Sequence, residues 1–177
     1  AGAVLGNSKH MKRVRTLRTF LGNMAGPWTG WLLMRSLETL KVRMTKQASN
    51  AVEVADYLKS HPKVEKVYYL GHLEPGDPQY DIFKKQQTCA GAMLSFDIKG
   101  GEREAFLFLN NLKLMKLAVS LGSTESLAEH PATMTHSDVS EEDRKLLGIS
   151  DNLVRLSIGV EHHSDIIWDI QQALEKV

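Results

Sequence analysis

The chain has 177 residues, of which 42% are hydrophobic and 24% charged, and its formal net charge is +1 at pH 7. That length and apolar content are enough for a domain with its own core, but no apolar run is long enough to span a bilayer and no secretory signal pattern is found. The single cysteine, Cys89, excludes an internal disulfide and favours a reducing, cytoplasmic setting. The chain begins without methionine, so we expect a further segment before it.

The charges are distributed unevenly along the chain. Up to residue 37 there are six basic side chains and no acidic one, whereas the remainder carries sixteen basic and twenty-one acidic side chains. The six are Lys9, Lys12, Arg13, Arg15, Arg18 and Arg35. A basic arm can contact nucleic acid or an anionic membrane, but this cluster is short and has no aromatic residues between its charges. We therefore predict a solvated or subunit-facing helix, with neither nucleic acid nor membrane as a partner.

The first sixty residues are predicted to be mainly helical. Residues 1–6 favour a short buried strand, and Ser8 is placed to cap a helix whose apolar residues lie three apart. Glycines and a proline interrupt this periodicity, so residues 20–27 are predicted to form a bent connection. A long helix is predicted over residues 29–60, because its apolar residues keep helical spacing as far as Pro62.

Strands and helices alternate in the rest of the chain. Strands are predicted over residues 64–70, 92–98, 117–120 and 153–161, and helices over 80–85, 102–112, 140–147 and 164–177. This alternation indicates an α/β layer with a small antiparallel or mixed sheet and flanking helices. The helical first sixty residues lack a partner layer of their own, so they need either this sheet or another domain to cover their apolar surface.

The strand predicted over residues 153–161 contains the clearest candidate binding residue. Its apolar residues fall on one face, and Arg155 lies on the other face with Ser157 and Gly159. A guanidinium group binds a carboxylate through two parallel charge-assisted hydrogen bonds, so Arg155 is a candidate carboxylate ligand. A surface ion pair with a nearby Asp or Glu is the alternative that the spacing leaves open.

Other polar residues have plainer interpretations. Ser120 and Thr135 are typical turn or capping hydroxyls, and the four-residue spacing of Glu125 and Glu129 favours a solvated helical face over a pair of catalytic acids. The histidines have no structural-zinc spacing, and no glycine-rich phosphate loop is found, so we predict no metal site. The histidines considered are His130, His136, His162 and His163.

Two segments carry a family resemblance. They are Ala118-Val-Ser-Leu-Gly-Ser-Thr-Glu-Ser-Leu-Ala-Glu-His-Pro-Ala-Thr-Met-Thr-His136 and Leu153-Val-Arg-Leu-Ser-Ile-Gly-Val-Glu161. Together they closely resemble the carboxy-terminal signature of the pyridoxal-phosphate (PLP) enzymes of cysteine and methionine metabolism. That family includes cystathionine γ-synthases, cystathionine lyases, methionine γ-lyases and O-acetylhomoserine sulfhydrylases. The resemblance implies the type I PLP-transferase fold (aspartate aminotransferase-like). It also implies that residues 1–27 end the large PLP-binding domain, that residues 28–60 form a connecting helix, and that residues 61–177 form the carboxy-terminal small domain.

The resemblance also implies roles for single residues. Arg155 matches the arginine that binds the substrate α-carboxylate, and Ser120 and the backbone near Leu121 match groups that assist it. Thr135 matches a residue near the cofactor and the inner pocket. The cofactor lysine of the family lies in a Ser-x-Thr-Lys segment that this sequence lacks, so no catalytic residue is expected in this chain, and the rest of the enzyme would bind most of the PLP.

One departure from the family bears on the substrate. Many γ-synthases and cystathionine γ-lyases have a glutamate where this chain has Val119, which favours a substrate with an apolar or neutral distal chain. Residues 18–27 lack the Lys-Asp pair associated with methionine γ-lyases, so the member is left open. The resemblance thus predicts γ-elimination or γ-replacement on sulfur amino acids or O-acylhomoserine, in a cytoplasmic homotetramer that includes the amino-terminal half of the enzyme. The alternative is a catalytically silent interaction module of the same fold.

Overall fold

The computed structural model describes residues 2–177, which form two compact units that meet in sequence at Lys41 and Val42. The helices are α1 (Ser8–Leu21), α2 (Pro27–Leu37), α3 (Leu40–Ser60), α4 (Tyr80–Gln86), α5 (Glu102–Asn110), α6 (Glu141–Leu146) and α7 (His163–Leu174). The strands are β1 (Val64–Tyr68), β2 (Met93–Ile98), β3 (Lys116–Leu117), β4 (Leu127–Glu129) and β5 (Leu153–Ser157). Among these described residues, no helix is both long and apolar enough to cross a membrane.

The first unit differs from its prediction at the start of the chain. Residues 2–7 form no strand, and Ala1 lies outside the described residues. Asn7, not Ser8, caps α1, because its Oδ1 accepts a hydrogen bond from the His10 N–H at 3.0 Å. Gly22 ends α1 in the left-handed conformation, with φ +72°. The bent connection is therefore shorter than predicted and begins at that glycine.

The single helix predicted over residues 29–60 is wrong, because α2 and α3 are separate helices. At the end of α2 the Glu38 N–H bonds to Arg35 O at 3.3 Å, three residues back instead of four. The Ser36 hydroxyl donates to Leu32 O at 2.7 Å, a type of bond that competes with the helical backbone pattern. These contacts tighten the last turn and separate the two helices. The domain boundaries at residues 27 and 60 stay a prediction.

The second unit is built on one five-stranded sheet. Its strand order is β1-β2-β5-β4-β3, with only the β3–β4 pair parallel. The prediction of an α/β layer with a mixed sheet is therefore confirmed. β5 lies at the centre, between β2 and β4, so its residues have neighbours on both sides.

A single core joins the sheet to helices α3, α5 and α7. Alternate residues of β2 and β5 contribute to it, including Phe96 and Leu156, which are both fully buried. Phe96 meets Phe108 of α5 edge to face, with ring centroids 5.5 Å apart. Residues with the opposite alternation, among them Arg155, belong to the other face of the sheet. The helices thus cover one face, and Arg155 lies on the other.

Asp169 fixes α7 to the segment that leads into β3. Its side chain is fully buried, and its two oxygens accept hydrogen bonds from the backbone N–H groups of Lys113, Leu114 and Met115 at 2.7, 3.0 and 2.9 Å. Three N–H donors compensate a buried carboxylate for much of its lost hydration. The parallel edge of the sheet is therefore held by a side chain of α7.

The strand predictions hold best where the apolar pattern is long. β1 and β2 lie inside their predicted ranges. The strand predicted over residues 117–120 is wrong beyond Leu117, because β3 covers only Lys116–Leu117. β5 ends at Ser157. The Ile158 N–H still bonds to Ala92 O at 2.9 Å, but the Gly159 N–H donates to Ser126 Oγ at 2.8 Å and the Val160 N–H to Thr124 O at 2.9 Å. β4 was not predicted at all.

Candidate functional site

Arg155 projects from the central strand into a set of three acceptors. Its Nη1 lies 2.7 Å from Glu129 Oε1, and its Nη2 donates to Val119 O and Ser120 O, each at 3.0 Å. Its side chain is 19% exposed. The Arg155 Nε is buried and has no hydrogen-bond partner among residues 2–177. The guanidinium group is thus fixed at two nitrogens and unsatisfied at the third.

The loop that supplies two of these acceptors is tied to β5. The Gly122 N–H donates to Ser157 Oγ at 2.9 Å. Glu161 binds the end of the loop, since its Oε1 accepts from the Ser126 N–H at 2.6 Å and its Oε2 from the Ser126 hydroxyl at 2.9 Å. A Cβ at Gly159 would collide with Thr124 O and the Glu161 carboxylate, so this approach of loop and strand requires glycine.

Two amide side chains of α3 hold the same loop and the end of β5 from the core side. Gln47 Nε2 donates to Ser123 O at 2.6 Å and to Ile158 O at 3.1 Å. Asn50 Nδ2 donates to Gly159 O at 3.0 Å and to Glu161 O at 2.7 Å. Sequence reasoning missed both amides. Their signal was two polar residues within the buried stripe of α3, where an amide needs a partner.

Glu129 is the residue of the site that sequence reasoning placed wrongly. It lies in β4 directly opposite Arg155 and is 1% exposed, so it does not belong to a solvated helical face. Burial raises the pKa of the Glu129 carboxyl, and the Arg155 charge partly offsets this rise. Its Oε2 is buried without a partner among residues 2–177. No local pattern marked Glu129, because all three β4 residues are buried and only strand pairing brings it to Arg155.

The other predicted site residues lie around this pair. Val119 and Ser120 contribute their backbone carbonyls, while the Val119 side chain is 52% exposed. Leu121 follows them with its side chain 57% exposed. Thr135 donates its hydroxyl to Glu129 Oε1 at 3.3 Å, so it reaches Arg155 only through Glu129. The ion pair that the spacing of Arg155 left open is present, although it is largely buried instead of lying on the surface.

The histidines considered for metal binding have other surroundings. His130 is buried, and its ring nitrogens lie 2.8 Å from Thr133 Oγ1 and 2.8 Å from Asp151 O. The rings of His162 and His163 stack on each other, with centroids 4.5 Å apart. Within residues 2–177, no group of three or more His, Cys, Asp or Glu side chains is arranged to hold a metal ion.

Comparison with known proteins identifies the family. Residues 1–175 match the family described as Cys/Met metabolism PLP-dependent enzyme. The chain belongs to this family. It is 48% identical to L-methionine γ-lyase of Fusobacterium nucleatum subsp. nucleatum over 100% of its own length and 45% of that relative. It is also 48% identical to cystathionine γ-lyase of Rattus norvegicus, over 93% of its own length and 41% of that protein.

Solved structures agree with this assignment. The crystal structure of cystathionine γ-lyase from Lactobacillus plantarum complexed with L-serine superposes with a TM-score of 0.88 at 37% identity, and the match covers 98% of this chain and 45% of that one. Cystathionine γ-lyase CalE6 of Micromonospora echinospora gives a TM-score of 0.86. The predicted type I PLP fold is confirmed, and the chain spans less than half the length of these relatives.

The residues of the site fit one part of the chemistry of this family. The unsatisfied Arg155 Nε beside Nη2 is a suitable edge for a carboxylate, which accepts two parallel N–H bonds. Among the described residues, the Nε–Nη2 edge of Arg155 therefore suits a carboxylate.

Proposed function

We propose that this chain is the carboxy-terminal part of a PLP-dependent γ-lyase, in which Arg155 binds the α-carboxylate of a sulfur amino acid. The observation that carries the proposal is the guanidinium group of Arg155, which is fixed by Glu129 and two loop carbonyls while its Nε stays unsatisfied. In this family, PLP supplies the electron-withdrawing ring needed for cleavage at the substrate side chain. The proposed task of this chain is to hold the substrate in place for that reaction.

The contacts of Arg155 suggest how a carboxylate would enter. Nε and Nη2 form one edge of the planar group, and Nη2 presently donates to the neutral carbonyls of Val119 and Ser120. Hydrogen bonds to an ionised acceptor are about twice as strong as neutral ones. A substrate carboxylate would therefore displace these carbonyls and satisfy Nε in the same step. Because Val119, Ser120 and Leu121 are exposed, their loop can yield without disturbing the core.

The substrate proposal favours methionine over cystathionine. Val119 brings an exposed apolar side chain next to the carbonyl that contacts Arg155, and no carboxylate at this position is available to pair with a second ammonium group. The similar proteins are named as methionine γ-lyases and cystathionine γ-lyases, which supports elimination over replacement. Members that act on O-acylhomoserine by γ-replacement are the competing outcome.

We also propose roles for the part of the enzyme outside this chain. The amino-terminal half would supply the cofactor lysine and most of the PLP contacts, and this chain alone would be inactive. Assembly into a homotetramer is supported by the exposed apolar side chains of α2, including Trp28 at 81% and Leu37 at 63% exposure. A cytoplasmic location remains part of the proposal and rests on the single cysteine.

The test is carried out on the complete enzyme. Thiol release is measured with methionine and with cystathionine, and sulfide-dependent formation of homocysteine and acetate from O-acetylhomoserine is the replacement control. Arg155→Ala removes a charge-assisted pair worth about 2–4 kcal/mol, so kcat/KM is expected to fall by about 30- to 1000-fold. Arg155→Lys should recover only part of this loss, because an ammonium group lacks the planar fork.

The cofactor absorbance of each variant is recorded beside its kinetics. PLP content is expected to stay near that of the unaltered enzyme. Unchanged kcat/KM in Arg155→Ala would rule out the carboxylate role, and lost PLP would rule out the proposed division between the two halves. A complete protein that binds no PLP and releases no thiol would instead support the interaction module.

A further inference from the structure

The three acceptors of Arg155 are unequal. Val119 O and Ser120 O are neutral and belong to an exposed loop, whereas Glu129 is an acidic residue inside the sheet. Glu129 and Arg155 are direct partners in the β4–β5 register, and Glu129 is 1% exposed. Glu129 therefore holds one end of the guanidinium group from a rigid element, while the other end contacts groups that can be displaced.

The geometry points to a role for this residue. We infer that Glu129 is a positioning residue: its Oε1 holds Nη1 of Arg155 and so turns the Nε–Nη2 edge towards the substrate carboxylate. This inference rests on the proposed carboxylate role of Arg155 and adds the residue that orients it. Thr135 extends the arrangement, because its hydroxyl donates to the same Oε1 at 3.3 Å.

The contacts indicate that Glu129 acts through the position of one oxygen. Only Oε1 contacts Arg155 and Thr135, while Oε2 is buried without a partner among residues 2–177. Burial also raises the pKa of the carboxyl, although the Arg155 charge and the Thr135 bond oppose this rise. A glutamine has the same length and keeps an acceptor oxygen, so it should preserve the orientation, whereas leucine offers no acceptor.

The experiment compares variants of the complete enzyme. In Glu129→Leu, KM for methionine is expected to rise by about tenfold or more while kcat changes less than about threefold, because the lost contact serves substrate and transition state alike. Glu129→Gln should keep both constants within about threefold of the unaltered enzyme. The inhibition constant of glycine, a small unreactive amino acid with the same carboxylate, should rise in parallel with KM in Glu129→Leu.

A matched control comes from the surface. Glu141 forms an ion pair with Lys145 of the same 2.7 Å length, but its side chain is 64% exposed, so Glu141→Leu should leave KM unchanged. If Glu129→Leu fails to fold, Glu129→Asp is measured in its place. Its side chain is one methylene shorter, so KM should rise although the charge is kept.

The outcomes separate the two proposals. If Arg155→Ala raises KM and Glu129→Leu or Glu129→Asp does not, the positioning role is wrong and the carboxylate role stands. If Glu129→Gln raises KM as much as Glu129→Leu, the charge and not the oxygen position is required, and the inference is overturned. If Arg155→Ala itself has no effect, the proposed function fails first.

Discussion

The two compact units differ in where their apolar side chains lie. Among the described residues up to 41, neither α1 nor α2 buries a side chain, and Trp31 is 55% exposed. From residue 42 onward, one core includes Phe96 and Phe108, both fully buried. Apolar helices thus occur in both units, but only the second unit has a sheet to cover them. The first unit should depend on other protein for its stability, whereas the second should not.

The largest expected effect is on the mass of the particle in solution. Because monomeric soluble proteins rarely expose large contiguous apolar surfaces, the 177-residue chain should self-associate. The double variant Trp31→Lys with Leu33→Glu, at positions 55% and 46% exposed, should lower the mass measured by light scattering after size exclusion. Leu146→Glu is the control, since this side chain is 86% exposed in the second unit.

Two results would contradict the prediction that the chain self-associates through α2. A stable monomer of the unaltered chain would show that the first unit needs no partner. An equal loss of mass in Leu146→Glu would show that association does not depend on α2.

The next effect concerns the free energy of unfolding. Phe96→Ala removes a fully buried ring from the core and should cost about 3–5 kcal/mol, whereas Leu33→Ala on exposed α2 should change the free energy by less than about 0.5 kcal/mol. Urea unfolding at a concentration where the chain is dissociated checks both values. Similar losses for the two substitutions would mean that the two units unfold as one and that Leu33 is covered.

The sequence was informative where a pattern is local. β2 and α7 follow from alternating and helical apolar spacing, and the alternation around Arg155 correctly set it apart from the apolar core. β4 has only three residues, all of them buried, so it carries no alternation. Glu129 could therefore not be assigned before strand pairing was known. The separation of α2 from α3 also depended on hydrogen bonds that spacing does not reveal.

The site residues also divide into those that a local pattern predicts and those that only the fold reveals. The resemblance selected Arg155 and Ser120, and the structure brings them together. Neither the resemblance nor the residue spacing pointed to the residues that support them. Gln47, Asn50 and Glu129 act over sequence separations of 26 to 111 residues in their contacts with the loop and β5. Supports of this kind become visible only when distant segments are adjacent, because each is an ordinary polar residue in its own segment.

The smallest expected effect uses tyrosine ionisation, which reports on the second unit alone because all four tyrosines follow residue 42. The Tyr68 hydroxyl donates to Asp97 Oδ2 at 2.7 Å. Burial, with the Asp97 bond next in importance, raises the pKa of Tyr68 to about 12, and burial raises that of Tyr69 to about 12 as well. Burial raises the pKa of Tyr57 as well. Tyr68→Phe should therefore remove one of the late tyrosine transitions in an absorbance titration and cost about 1 kcal/mol at pH 7.

The pH dependence of that cost has a definite sign. A tyrosine whose folded pKa exceeds 10 contributes stability that is complete below pH 10 and is lost as the pH rises towards 12. The difference in unfolding free energy between the unaltered chain and Tyr68→Phe should thus shrink between pH 10 and 12, and by little, since Tyr68 is 40% exposed. Urea unfolding at pH 7, 9 and 10.5 measures it, with Tyr80→Phe as the control on exposed α4. A difference that grows with pH would show that Asp97 does not hold the neutral hydroxyl.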